Sequence, residues 1–183
     1  MAPGSRKDEC GSPPLREWHE WPFEPLPLLR TLGRHGVEYV LIGGLAAVLQ
    51  GSPLPTYDID IAPAPGTANG TRLAAALAEI DTALLTDDED AQQALRQHAD
   101  VSFLTPFGYL DLHYTPAGFA TYAALRRNAF PMQLEPDLSL LVSPLRDIIR
   151  SRTAAGDQRQ LPALEATLEL AGAEARSGTR TSG

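Results

Sequence analysis

Apolar and polar positions along the chain fall into short blocks whose period changes repeatedly, and each change marks a predicted element. From about Pro25 to Arg34 the leucines recur at helical spacing, and Gly33 and Gly36 close the segment. Val37 to Ile42 is short, β-branched and aromatic, which predicts a strand. Leu45 to Gln50 reads as a short helix ended by Gly51, and Tyr57 to Ala62 alternates as a second strand. An Ala/Leu-rich helix follows over Asn69 to Ile80. A further helix, Ala91 to His98, lies behind the acidic run Asp87 to Asp90. Val101–Thr105 and Gly108–Tyr114 read as two strands joined by a turn through Pro106, Phe107 and Gly108. Gly118–Asn128 is helical, Leu138–Ser143 is a strand, and Pro144–Gly156 is a helix with proline in its first turn. Gln160–Ala173 is the last helix. Strands interleaved with helices predict an α/β or α+β fold, a small mixed β-sheet flanked by helices.

The chain has 183 residues, enough for one domain with a real core, and 43% of them are hydrophobic. Residues 1–14 are polar and rich in Gly, Pro and Ser, which predicts a disordered leader. Residues 15–175 form the expected single domain, and Arg176–Gly183 a disordered tail. The single cysteine, Cys10, excludes an internal disulfide and suits a reducing, cytoplasmic setting. No apolar run reaches the ~18 residues of a membrane helix, and no signal pattern opens the chain. The formal net charge of -8 argues against a general nucleic-acid binder. The charge is uneven, however. Arg126, Arg127, Arg146, Arg150, Arg152 and Arg159 outnumber the acids between Ala120 and Gln160, so a local basic face for a polyanion remains open.

The chemistry concentrates in a few positions. Asp58 and Asp60 are two apart on a predicted strand, so their carboxylates share a face opposite Tyr57, Ile59 and Ile61. Two like charges side by side repel, and a divalent cation relieves that cost. Taken alone, the pair reads more simply as a solvated strand edge. Gly43-Gly44 sits between a strand and a helix, where glycine permits positive φ and close approach of backbone to a phosphate. A plain tight turn is the alternative. Asp111, flanked by Leu110 and Leu112, supplies a third carboxylate from a third strand. Three converging carboxylates suit two-metal phosphoryl chemistry.

Read together, Ile42-Gly43-Gly44, a spacer and Asp58-Ile59-Asp60 resemble the signature of the DNA polymerase β-type nucleotidyltransferase superfamily. More narrowly, the segments from Gly51 to Pro65, around Asn69, from Leu104 to Leu112 and from Leu145 to Leu164 are similar to the bacterial AbiEii-like nucleotidyltransferases, toxins of toxin–antitoxin pairs. The resemblance spans roughly Leu32 to Leu164. It implies a nucleotidyltransferase fold and an enzyme using Mg²⁺ or Mn²⁺ with an NTP as co-substrate. Asp58, Asp60 and Asp111 would hold the metals, and Asp111 would help deprotonate the attacking hydroxyl. Gly43, Gly44, Thr56 and Arg152 would meet the phosphates. The implied acceptor is the 3′ end of tRNA, and the implied partner is a cognate antitoxin protein. The chain departs from the family where it has Leu54-Pro55 in place of a basic residue, Arg152 in place of lysine, and Gln160 in place of aspartate.

Arg126, Arg127, Arg146 and Arg150 are candidates for an RNA-binding groove, against the plainer reading of solvated helix faces. His113 shares the face of Asp111 and reads either as a hydrogen-bonded structural histidine or as a group beside the metal. His19, His35 and His98 look isolated and superficial, and Trp18, Trp21 and Phe23 form an aromatic cluster that packs onto the domain. Two rival functions remain open: transfer to a protein or small-molecule hydroxyl, and a catalytically degenerate partner-binding module.

Overall fold

The computed structural model describes residues 23–80 and 89–178; the expected leader, Trp18, Trp21, His19 and the first half of the acidic run, Asp87 and Asp88, lie outside them. Its elements are α1 Pro25–Arg34, β1 Tyr39–Leu41, α2 Gly43–Val48, β2 Asp58–Pro63, α3 Thr67–Glu79 and α4 Glu89–Gln97. There follow β3 Val101–Thr105, β4 Gly108–Leu112, α5 Tyr122–Asn128, β5 Phe130–Glu135, β6 Leu138–Val142, α6 Leu145–Ala155 and α7 Leu161–Gly178. The strands form one mixed six-stranded sheet in the order β3-β4-β2-β1-β6-β5. β1 runs parallel to β6 and antiparallel to β2, and β2 runs parallel to β4. The two outer pairs, β3–β4 and β5–β6, are antiparallel hairpins. Among the described residues, no helix is long and apolar enough to cross a membrane.

Alternation along the central strands sorts the side chains onto two faces. Leu41, Ile59, Ile61, Leu110, Leu112 and Phe103 are buried on one face against Leu28, Leu29 and Leu32 of α1 and Leu73 and Leu77 of α3. The other face carries a smaller cluster, Val40, Ala62, Phe119 and Leu125, beneath α5. The residues of β2 that alternate with Ile59 and Ile61 lie on this thinly covered second face. There a charged group escapes full burial.

Several boundaries differ from the sequence expectation. A sixth strand, β5, contains Pro131, which spoils a strand signal; it is tolerated because β5 is an edge strand. α2 begins at Gly43 rather than Leu45, and α5 begins at Tyr122, where the Thr121 side chain accepts a hydrogen bond from the Ala124 amide. Pro144 precedes α6 in extended conformation instead of lying within its first turn. α7 continues to Gly178, three residues into the expected tail. Tyr57 precedes β2 and is 57% exposed, so it does not share the buried face of Ile59 and Ile61. Neither described histidine thought isolated is so: His35 Nε2 lies 2.6 Å from Glu79 Oε2, and the His98 ring sits 5.0 Å from the Tyr114 ring. Phe23 packs against the main core, where a Cβ on Gly108 would come within 3.1 Å of its ring.

Asn69, only 5% exposed, clamps the ends of the two central strands. Its Nδ2 donates to the carbonyls of Glu38 (2.9 Å) and Ala64 (2.8 Å), and its Oδ1 accepts from the Glu38 amide at 2.8 Å. Asn69→Leu leaves all three backbone groups without that partner. We expect a loss of roughly 2–4 kcal/mol, read as a lower denaturant midpoint with unchanged slope.

Candidate active site

The site forms where β1 ends and β2 and β4 run side by side. The Ile42 amide donates to the Asp60 carbonyl at 3.0 Å, and the chain then turns through Gly43 at φ +65° into α2. This brings the glycine pair directly against the side chains of β2. A Cβ on Gly43 would lie 1.9 Å from Asp60 Oδ2, and one on Gly44 would lie 2.4 Å from Thr56 Oγ1. The Gly44 amide points at Asp60 Oδ2 across 3.4 Å. The glycines are therefore needed first by the carboxylates and the threonine that rest on them.

Register places the carboxylates. Asp60 and Asp111 are direct partners in the parallel β2–β4 ladder, and Ser102 is opposite Asp111 in β3. Burial pushes the Asp111 carboxyl above its ordinary range; Asp60 and then Asp58 push it further, while a hydrogen bond from Ser102 and the charge of His113 oppose them. His113 lies two residues beyond Asp111, and its amide donates to the Ile61 carbonyl at 2.9 Å. Its Nε2 is 3.1 Å from Asp60 Oδ1, a contact that raises the imidazole pKa against the opposing effect of burial. The other ring nitrogen, Nδ1, faces Asp100 Oδ2 at 3.5 Å.

Asp60, Asp111 and His113 each offer a ligand atom, all within 4.8 Å of one another, so these three could hold a metal ion. Asp58 stands differently. Its Oδ1 accepts a hydrogen bond from Thr56 Oγ1 at 2.7 Å, so the threonine hydroxyl serves the carboxylate rather than standing free. The residues fit a divalent cation on chemical grounds. The donor set is two carboxylates and an imidazole, partly buried, and a cation would relieve both the burial of the Asp111 charge and its repulsion by Asp60 and Asp58.

Two hollows flank Asp58. One, of about 510 Å³, is lined by Asp58 and Asp111 together with Arg152, Arg159 and Gln160. The second, of about 440 Å³, runs from Asp58, Asp60 and His113 to the apolar side chains Phe119, Leu125 and Ile148. Arg152 borders both. Its Nη1 donates to Asp157 Oδ2 at 2.8 Å, while Arg159 Nε reaches Asp157 Oδ1 at 3.3 Å. Arg159 first, then Arg152, holds the Asp157 carboxyl below the usual range.

Of the residues singled out in the sequence, Gly43, Gly44, Thr56, Asp58, Asp60, Asp111 and Arg152 come together here. Arg159 joins them, but the four arginines considered for RNA binding do not. Arg126 borders a separate hollow with Glu38 and Tyr122, Arg150 lies over the Phe119 ring at 4.8 Å, and Arg127 and Arg146 are exposed on their helices. Asp100 and Asp157 went unassigned in the sequence; only folding puts them beside His113 and Arg152.

The sequence matches no protein-family model, and no curated protein is significantly similar to it. The fold does have solved neighbours. A Thermotoga maritima protein described as a "putative nucleotidyltransferase" superposes with a TM-score of 0.52 at 14% identity, covering 82% of this chain and 98% of its own. The chain therefore has a nucleotidyltransferase-type fold, and the carboxylates lie on the open face of its central strands.

Proposed function

We propose that the protein is a metal-dependent nucleotidyltransferase that moves NMP from an NTP to an acceptor hydroxyl. The carrying observation is the pairing of Asp60 with Asp111 across adjacent parallel strands, with Asp58 on the same face and the glycine pair against them. In this reading Asp58, Asp60 and Asp111, with His113 adjacent, hold Mg²⁺ or Mn²⁺. When bound, the metal supplies charge neutralisation at the phosphates. Arg152 and Arg159 line the 510 Å³ hollow together with Asp58 and Asp111, a suitable seat for a triphosphate. The acceptor hydroxyl attacks the α-phosphorus, its proton passes to Asp111, and pyrophosphate leaves.

The favoured acceptor is the 3′ end of tRNA, with the protein as the toxin of a pair and an antitoxin protein as its partner. The support is the sequence resemblance, together with a 440 Å³ hollow of nucleoside size beside Asp58 and Asp60. One observation favours a smaller acceptor. Arg126, Arg127, Arg146 and Arg150 border neither hollow, so a small molecule or a protein hydroxyl would meet the same chemistry without a basic groove.

The test is incubation with total tRNA, Mg²⁺ or Mn²⁺ and each labelled NTP, beside an Asp58→Ala, Asp60→Ala double variant. Label in tRNA with the wild type alone supports the full reading. Label only in added small hydroxyl compounds or proteins moves the acceptor, and no transfer to anything favours a degenerate binding module. Charge reversal at Arg126 and Arg127 should abolish transfer to tRNA and leave a small-molecule transferase untouched.

Arg152→Ala should weaken NTP binding about 10- to 100-fold, the worth of a charge-assisted hydrogen bond. Arg152→Lys should recover part of it, since the charge stays and the fork is lost. Equilibrium binding of a non-hydrolysable NTP analogue measures both.

A further inference from the structure

Resting on the metal-dependent reading above, we propose that His113 is itself a metal ligand. The site is then a mixed nitrogen–oxygen set that takes Mn²⁺ in preference to Mg²⁺, with Asp100 as the residue that positions the imidazole. Three observations converge on this.

Asp60, Asp111 and His113 each bring a ligand atom within 4.8 Å of the other two. Asp58 is instead engaged by Thr56 at 2.7 Å. Next, the ring presents the right nitrogen. Nε2 is on the carboxylate side, 3.1 Å from Asp60 Oδ1, and Nδ1 is turned away toward Asp100 Oδ2 at 3.5 Å. Histidines that ligate metals characteristically give their second nitrogen to a carboxylate, which sets the ring's orientation. Finally, Asp100 is itself anchored: its Oδ1 accepts the Tyr114 amide at 2.8 Å. The His113 backbone is held as well, by its 2.9 Å bond to the Ile61 carbonyl. The imidazole thus has a carboxylate behind it while its Nε2 edge faces Asp60.

An ion pair with Asp60 alone would explain the Nε2 contact. It would not require a second carboxylate fixed behind the ring. The choice of metal follows from the ligands. Mg²⁺ demands oxygen donors in near-ideal octahedral geometry, whereas imidazole nitrogen favours first-row transition ions.

The test uses the full-length protein, stripped with chelator and titrated with Mn²⁺ alone, and reads pulsed electron paramagnetic resonance of the bound ion. We expect nitrogen modulation from a directly bonded imidazole, altered when the histidines carry nitrogen-15. Because that isotope arm uses the wild type, it holds even if a variant fails to fold. His113→Gln should abolish the modulation and weaken Mn²⁺ binding about 10- to 100-fold, with a smaller change for Mg²⁺. Asp100→Asn should weaken Mn²⁺ binding several-fold while the modulation persists, which marks positioning rather than ligation. Mn²⁺ bound without nitrogen modulation, or Mg²⁺ bound more tightly than Mn²⁺, overturns the inference and leaves the metal-dependent transferase standing. Failure to bind either ion overturns both. Transferase activity is measured separately, so loss of that reading alone appears as nitrogen-coordinated Mn²⁺ in a protein that transfers nothing.

Discussion

Gly43→Ala is expected to destroy the proposed metal site and to cost roughly 2–4 kcal/mol of stability, large for the addition of one methyl group. Two costs add. The residue sits at φ +65°, a left-handed conformation that costs an L side chain about 1–2 kcal/mol. The new Cβ would also fall 1.9 Å from Asp60 Oδ2, 2.5 Å from its Cγ and 2.7 Å from its Cβ. A flexible side-chain end swings aside, but the Cβ of Asp60 is fixed by the strand. Either β2 or the β1–α2 turn must therefore move, and the Asp60–Asp111 pairing moves with it. Gly70→Ala is the matched control. Nothing lies within 4 Å of a Cβ there and Gly70 is inside α3, so helix propensity predicts a gain of up to about 1 kcal/mol. Chemical denaturation and Mn²⁺ titration of both variants check the contrast. A Gly43→Ala protein with normal stability and metal affinity would show that the turn serves no site.

Asp111→Asn should have opposite effects on activity and stability. In the proposed reaction one carboxylate both faces the metal and receives the proton, so transfer should fall by about a thousand-fold or more. The metal-free protein should become more stable at neutral pH. The sign follows from linkage: the folded-state pKa of Asp111 is raised, so the ionised carboxyl disfavours the fold wherever the pH exceeds that value. Asparagine removes this penalty. The stability gain should be largest near neutral pH and vanish below the ordinary carboxylate range, where the wild-type carboxyl is protonated in both states. Denaturation in chelator across that pH range, beside a transfer assay, tests it. A less stable Asp111→Asn at neutral pH would mean that the charge is structurally satisfied, as in an ordinary buried ion network.

Much of the fold was legible in the sequence because its signals are local. Period-two alternation around Ile59 and Ile61, leucine spacing in α1 and the turn at Gly108 each depend on neighbours a few residues away. The elements missed or misplaced fail for equally local reasons. Pro131 masks β5, which only its place at the sheet edge permits, and α2 starts at Gly43, two residues ahead of the helix expected from Leu45. The resemblance to nucleotidyltransferases indicated a fold that the solved neighbour supports. The narrower likeness to a toxin family, and the tRNA acceptor, rest on the sequence resemblance alone.

The sequence by itself determined which residues carry charge, that Asp58 and Asp60 share a strand face, and that Asp111 lies on another strand between buried leucines. Those facts follow from covalent order and the pleat. Only the tertiary structure decided that Asp60 stands opposite Asp111, that His113 and Asp100 join them, and that Arg152 is shared with Asp157. It also decided why Gly43 and Gly44 are glycines, since the atoms that forbid a side chain belong to Asp60 and Thr56 on a neighbouring segment. Strand register and close approach depend on how distant segments pack, and no local pattern encodes that distance.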